Sequence, residues 1–298
     1  MDNRSGEMQV FAKVVETGSF SAAAKLLELT PSAVSKLVSR IEGRLGTLLL
    51  QRSTRQLVLT TEGRQFYDSC VRILDDIEEA EQDISTGKAA AHGTLRVNVS
   101  LPFGTHQILP IISEFCGRYP EILLDLSLND ALVDLQRERV DVAIRMGTLA
   151  DASFQARPLG KSRLAVVASP AYLKAFGTPH HPDALAGHRC FNFNFRRMRD
   201  EWPFRLDGQT VYRQVGGGML LNNGETMRLL TLQGLGISRL ALFHVGKDLA
   251  EGSLVELLEE FNPGDIEDIH AIFRNQRYMP QRVRVFIDFL VEKLAHLT

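Results

Sequence analysis

The hydrophobic period of the chain changes near Thr94, and that change calls for two kinds of fold in one molecule. Before it, residues 7–45 carry apolar positions at helical spacing. Met8, Phe11, Val14 and Val15 form one stripe, and Val34, Leu37, Ile41 and Leu45 a second. Gly18-Ser19 and Leu29-Thr30-Pro31 interrupt the pattern, which predicts three short helices. After it, 94–100 reads as a strand, 103–119 as a helix, 123–128 as a strand, 131–137 as a helix and 140–145 as a strand. That alternation predicts a βαβαβ unit with a largely parallel sheet. A chain of 298 residues also exceeds the usual size of one domain, so two or three compact units are expected.

Between the two regimes, apolar triplets at 48–50 and 57–59 flank a polar, basic stretch at 51–56, the pattern of a small β-hairpin or wing. Residues 61–86 then form one long helix, predicted to be capped by Thr61 and to end at Gly87. Its apolar positions Phe66, Cys70, Ile73, Leu74, Ile77, Ala80 and Ile84 keep near-heptad spacing. Such a stripe packs either on its own chain or on the same helix of a second subunit. The second is favoured, because a helix between domains has little local core to cover it.

A second lobe is predicted from a strand at 163–169, a helix at 170–176, a Pro/His/Gly-rich loop at 177–188, strands near 190–195 and 211–221, and a helix at 225–233. A strand at 267–273 and a terminal helix at 280–297 are expected to return to the first lobe, whose sheet otherwise lacks cover on one face. The expected division is a helix-turn-helix domain at 1–60, a linker helix at 61–90 and a two-lobed domain at 91–298. Lobe I takes about 91–162 and 267–298, and lobe II about 163–266.

Charge is divided along the chain. Residues 1–66 hold nine Lys/Arg against six Asp/Glu, a balance of +3, whereas residues 67–90 hold two against seven, a balance of −5. An N-terminal module facing a polyanion fits that asymmetry. No apolar run approaches the roughly 18 residues needed to span a bilayer. The polar first seven residues have no secretory pattern, so a cytoplasmic protein is expected. Cys70, Cys116 and Cys190 lie far apart without CxxC spacing, which argues against a disulfide framework or thiolate metal site.

Within the first regime, 21–27 makes a short helix, the turn runs through Glu28-Leu29, and Thr30 is a strong N-cap ahead of Pro31 at the first helical position. Ala22, Ala23 and Leu26 are expected to pack against Val34, Leu37 and Ile41. The outward face then presents Ser32, Ser35, Lys36, Ser39 and Arg40, short hydroxyls that permit close approach to a groove and bases for phosphate or guanine. With Thr30 and Pro31 at the helix start, these are the candidate DNA contacts. Arg52, Ser53, Thr54 and Arg55 of the wing add a second cationic surface. No metal or cofactor is required. The bland alternative is a three-helix packing unit with a solvated polar face.

The stretch from Phe11 to Gly63 contains Thr17-Gly-Ser-Phe-Ser-Ala-Ala-Ala24, Leu29-Thr-Pro-Ser-Ala-Val-Ser35, Ile41-Glu-Gly-Arg-Leu-Gly46, Arg52 and Leu59-Thr-Thr-Glu-Gly63. In that wording and spacing it closely resembles the DNA-binding domain of LysR-type transcriptional regulators. Weaker similarity continues through Gly93-Thr-Leu-Arg-Val97, Val140-Asp-Val-Ala-Ile-Arg145 and Asn222-Asn-Gly-Glu225. Pro31 and Ser32 depart from the commoner family wording, which has glutamine and proline there. Leu240-Ala241 departs from a usual Leu-Pro, so a different backbone geometry is expected at that point. The resemblance implies an all-α winged helix-turn-helix with a long linker helix, then an α/β two-lobed domain like a small periplasmic binding protein. It also implies a homodimer through 61–86, commonly a tetramer, an interrupted palindromic double-stranded operator, a small-molecule effector between the lobes, and contact with RNA polymerase.

The effector is expected where strand ends and helix N-termini face the hinge. Ser100, Leu101, Pro102 and Phe103 follow the first strand of that half, and unpaired amides there would suit an anion. Arg145, Phe195 and Asn223 complete the candidate pocket. Each has a plainer role open to it: helix cap for Ser100, core for Phe103 and Phe195, salt-bridge partner for Arg145, turn for Asn223. The adjacent His180 and His181 lack a third ligand at usable spacing and read as loop residues. No nucleophile and base spacing or paired carboxylate motif points to an enzyme. The competing class is a solute-binding module whose N-terminal unit only mediates association.

Overall fold

The computed structural model describes residues 3–52, 57–85, 91–130, 140–147, 154–194, 201–274 and 279–297. It divides into two compact units, Met1–Gly93 and Thr94–Thr298.

In the first unit, α1 (Arg4–Thr17), α2 (Phe20–Leu26) and α3 (Pro31–Leu45) are followed by β1 (Leu50–Arg52), β2 (Leu57–Leu59) and α4 (Thr61–Ser85). Local chemistry sets the boundaries. Gly18 and Gly46 end α1 and α3 in the left-handed region, where glycine carries no Cβ penalty. Ser19 and Thr30 cap α2 and α3 by accepting the amides of Ala22 and Ala33. The core joins Val10, Phe11, Val14, Ala23, Ala24, Val34, Val38, Ile41, Leu49, Leu50 and Cys70. Three sequence expectations shift here. Val38 is buried on α3, while Leu45 is exposed. Ala23 and Ala24 face the core of α2, while Leu26 is 65% exposed, so the packed face lies one residue along from the expected one.

The third shift is the cap of α4, which is Thr60 and not Thr61. Thr60 Oγ1 accepts the Gly63 amide at 2.8 Å and donates to the Leu48 carbonyl. Gly63 is required by close approach, since a Cβ there would lie 1.9 Å from the Leu49 carbonyl oxygen. The first turns of α4 pack on their own chain through Phe66, 5.4 Å from the Phe11 ring, and through buried Cys70. Burial pushes the Cys70 thiol up to about 12, so it behaves as an apolar side chain. Further along, Ile73 and Leu74 are half-buried and Ile77 is exposed.

The second unit follows β3 (Gly93–Val99) with α5 (Leu101–Phe103), a π turn at Gly104–Ile108, α6 (Leu109–Arg118), β4 (Ile122–Leu128), β5 (Val142–Met146) and β6 (Phe154–Ala168). Next come α7 (Pro170–Phe176), β7 (Cys190–Phe193), β8 (Glu201–Leu206), β9 (Gln209–Gln214), β10 (Gly217–Leu221), α8 (Gly224–Leu232), β11 (Ser238–Ala241) and α9 (Leu242–Ala250). β12 (Val255–Leu257), β13 (Ile266–Arg274) and α10 (Gln281–Lys293) complete it. The main sheet runs β11-β6-β13-β5-β3-β4, with β12 also on β6.

β3 and β5 are parallel, as the alternating pattern predicts, but β13 lies antiparallel between β5 and β6, so the sheet is mixed. The strand expected to begin near Arg163 begins at Phe154. Its first part pairs with β13, and Leu164 onward pairs with β11 and β12. β6 therefore carries the backbone from one lobe into the other. α10 covers the first lobe, with Phe286 and Phe289 each within 5.3 Å of the buried Phe115 ring of α6. The two helices are also tied by Arg118, which donates to both carboxylate oxygens of Glu292 at 2.8 Å.

Candidate DNA-binding surface and effector cleft

Helix α3 turns Val34, Val38 and Ile41 inward, which leaves Pro31, Ser32, Lys36, Ser39 and Arg40 exposed and Ser35 half-buried. Thr30 is held by its capping role, its hydroxyl also 3.1 Å from Ser32 Oγ. Pro31 presents no side-chain donor or amide, and occupies the first helical position where none is needed. The turn into α3 is sharp because Glu28 adopts φ 56°, and the Leu29 amide returns to the Ala24 carbonyl at 2.9 Å.

The two cations on the candidate contact face of this helix differ. Lys36 has no ion pair among the described residues. Arg40 Nε lies 3.0 Å from Glu7 Oε1, and Arg44 also pairs with Glu7, whose side chain is only 2% exposed. Arg40 is thus braced against α1 while its guanidinium stays half in solvent. The wing hairpin starts from Glu42, whose Oε1 accepts the amides of Leu49 and Leu50. β1 and β2 pair with Arg52 opposite Leu57. Ser53, Thr54 and Arg55 lie outside the described residues, as does the side chain of Arg52.

The second unit contains a cavity of about 390 Å³ between its lobes. Ser100, Pro102, Asn129, Asp130 and Arg145 line one side, and Phe193, Gly224, Arg239, Phe243 and His244 the other. Of the residues expected from sequence, Ser100, Pro102 and Arg145 line it. Phe103 is fully buried in the core, edge-on to Phe243 at 5.1 Å, and Leu101 is not among the lining residues. Asn223 caps α8 by accepting the Thr226 amide at 2.7 Å. Phe195 lies outside the described residues, while Phe193, two positions earlier, lines the wall.

The expected anion site at the start of α5 is occupied from within, because the Leu101 amide donates to Asp130 Oδ1 at 3.2 Å. Burial raises the Asp130 pKa against the opposing influence of that amide and of Arg145. Two polar atoms facing the cavity have no hydrogen-bond partner among the described residues, Asp130 Oδ2 and the Oγ of Ser100, which is 8% exposed. The cations are tethered: Arg145 donates to Asn98 Oδ1 at 2.6 Å, and Arg239 pairs with Asp265. Glu267, also lining the cavity, has its pKa raised by burial.

Beside His244 stands a group that the sequence did not disclose. Glu225 Oε2 lies 2.8 Å from His106 Nε2 and 2.7 Å from His244 Nε2. These bonds outweigh burial and hold the Glu225 carboxyl down at about 2, whereas burial lowers His244 below the usual imidazole range. At Leu240-Ala241 the expected change of geometry does not occur: Ala241 has φ −71° and ψ 144°, angles that proline itself adopts. Among the described residues no helix is long and apolar enough to cross a membrane.

The comparisons agree with this geometry. Residues 6–64 match the bacterial regulatory helix-turn-helix protein family of lysR type, and residues 88–295 match the LysR substrate binding domain. The chain is 40% identical over 296 residues to the HTH-type transcriptional regulator CrgA of Neisseria meningitidis, covering 99% of each. It is 31% identical to the HTH-type transcriptional activator TtdR of Escherichia coli, covering 95% of this chain and 91% of TtdR. The structure of neisserial CrgA aligns with a TM-score of 0.66 at 39% identity, covering 97% of this chain and 98% of CrgA. The full-length Vibrio cholerae virulence activator AphB aligns with a TM-score of 0.60 at 27% identity, covering 96% and 98%. The chain belongs to the LysR family of transcriptional regulators, a helix-turn-helix DNA-binding domain joined to an effector-binding domain of two lobes.

Proposed function

We propose that this regulator binds an interrupted palindromic operator as a homodimer, with α3 in the major groove and the wing on the adjacent backbone. The observation that carries this reading is the face of α3 left outside the core. Ser32 and Ser39 are short enough to admit close approach, and Lys36 is an exposed cation. Thr30 and Pro31, which set the helix entry, and half-buried Ser35 are assigned to the same contact. Arg40, braced by Glu7, serves as a positioned phosphate contact, and Arg52, Ser53, Thr54 and Arg55 are assigned to the wing contact.

Residues 1–60 act as the DNA head, 61–90 as the pairing helix and 91–298 as the sensor. Ile77, exposed on α4, supports pairing of residues 61–86 with a second copy, and two dimers forming a tetramer fit an operator of separated half-sites. The protein acts in the cytoplasm, in reach of RNA polymerase, and has no catalytic role; its curated relatives are named as transcriptional regulators.

The effector we assign is a small polar molecule in the cavity, hydrogen-bonded to Ser100 Oγ and Asp130 Oδ2 and facing Arg145. An anionic group on it belongs at Arg145 and not at the Leu101 amide. Its differential affinity for two lobe arrangements changes operator affinity, and the coupling is reciprocal. A footprint on the DNA upstream of the protein's own gene, repeated with candidate metabolites, tests this reading. Two half-sites about one helical turn or a multiple apart, altered by one metabolite, are expected. Protection of one isolated half-site indifferent to every metabolite would favour the association-module alternative.

A further inference from the structure

We propose that His106, Glu225 and His244 form a binding site for a divalent transition-metal ion, with zinc as the ion that suits the donor set. Their three donor atoms, one from each side chain, lie within 4.8 Å of one another. Both imidazoles direct Nε2 at the same carboxylate oxygen, and their ring centroids are 5.0 Å apart. Two imidazoles and one carboxylate are the ligands of zinc sites that keep a fourth position open.

Two of the three donor separations need little adjustment. Zinc at about 2.0–2.1 Å from each donor sets tetrahedral edges of roughly 3.3 Å. The present separations of 2.8 and 2.7 Å therefore open by about half an ångström. Each imidazole must present an unprotonated Nε2 to the metal, so the ion replaces the hydrogen bonds to Glu225.

The surroundings orient the donors. The second carboxylate oxygen of Glu225 accepts from Arg228 at 3.0 Å, and Arg228 is itself held by both oxygens of Asp248. That arrangement fixes the carboxylate without using Oε2, the role outer-shell partners play at metal sites. Phe243, next to His244 and packed on Phe103, shields one side. His244 also lines the effector cavity, so the three donors stand at its wall.

The site has a consequence for the lobes. His106 stands in the π turn that follows β3, whereas Glu225 and His244 start α8 and α9 in the other lobe. A bound ion would tie the lobes together on one side of the cavity and oppose their separation.

The test uses the full-length protein, stripped with a chelator and titrated with zinc against a chromophoric competitor, and with cobalt read by visible absorption. One equivalent per chain is expected, with the intense bands of tetrahedral cobalt. His106→Ala or His244→Ala should weaken binding by more than the about 10–100-fold that outer-shell substitutions cost. His180→Ala should change nothing. Because His244 is buried, His106→Cys serves as the second variant: it should keep zinc and add a thiolate charge-transfer band to the cobalt spectrum. A merely structural hydrogen-bond network would give no such band. No stoichiometric binding by the unsubstituted protein, or binding unchanged in His106→Ala and without the new band in His106→Cys, would overturn the proposal.

Discussion

Arg40 Nε lies 3.0 Å from Oε1 of Glu7, so a buried carboxylate of α1 anchors a cation on the exposed face of α3. The pairing sets the orientation of α3 against α1, and Arg44 shares the same carboxylate. Glu7→Gln should lower the stability of the N-terminal unit by about 1–2 kcal/mol, less than for a fully buried pair because both arginines reach solvent. Operator affinity should fall as Arg40 loses its brace. Thermal melts paired with operator titrations check both; an unchanged melting temperature would mean the pair is only a surface contact.

Glu28 holds a left-handed conformation that costs a residue with a Cβ roughly 1–2 kcal/mol. Glu28→Gly should therefore stabilise the helix-turn-helix, by less than that amount since glycine gains freedom in the unfolded chain. A raised melting temperature with unaltered operator affinity is the expected result. A drop would show that the Glu28 side chain contributes more than its backbone costs.

At Gly63 the direction reverses, because a methyl group would overlap the Leu49 carbonyl. Gly63→Ala should cost about 1–3 kcal/mol through a shift of α4 away from the wing. Gly43→Ala, with open space around its Cβ position, is the control and should be neutral or slightly stabilising. Comparable losses in both variants would contradict the close-approach account.

These elements were unequally legible in the sequence. Thr30-Pro31 and Gly46 mark the ends of α3 by local chemistry, and the change of period separates the two units. The buried face of α2 was displaced by one residue, since three consecutive alanines give no amphipathic signal. The Asp207-Gly208 turn, with φ of 50° and 77°, divides β8 from β9, and this Asp-Gly pair was a usable hairpin signal that went unread. The cleft was located by strand ends, but Asp130 reaches it from the connection after β4 and Arg239 from β11, a strand of four residues too short to show a pattern of its own. His106 and Glu225 are 119 residues apart, and nothing local marks their meeting.

Asp130 gives a signed pH dependence. Its folded pKa is raised by burial above the ordinary carboxylate value of 3.8, so the folded state favours the proton. Stability from this group is fully present below 3.8 and is lost as pH rises through the folded value. Asp130→Asn, which keeps an acceptor for the Leu101 amide, should raise the melting temperature at neutral pH and lose that advantage in acid. It should also blunt the response to effector. A destabilised variant at neutral pH would contradict the assigned burial cost.

The central claim is that the exposed face of α3 reads DNA, and Lys36 tests it most directly. Fluorescence anisotropy on the operator, measured across a salt series, compares the unsubstituted protein with Lys36→Ala. Loss of one phosphate contact per α3, two in a bound dimer, should weaken binding and reduce the slope of log affinity against log salt by about 2. Unchanged affinity and an unchanged slope would contradict it.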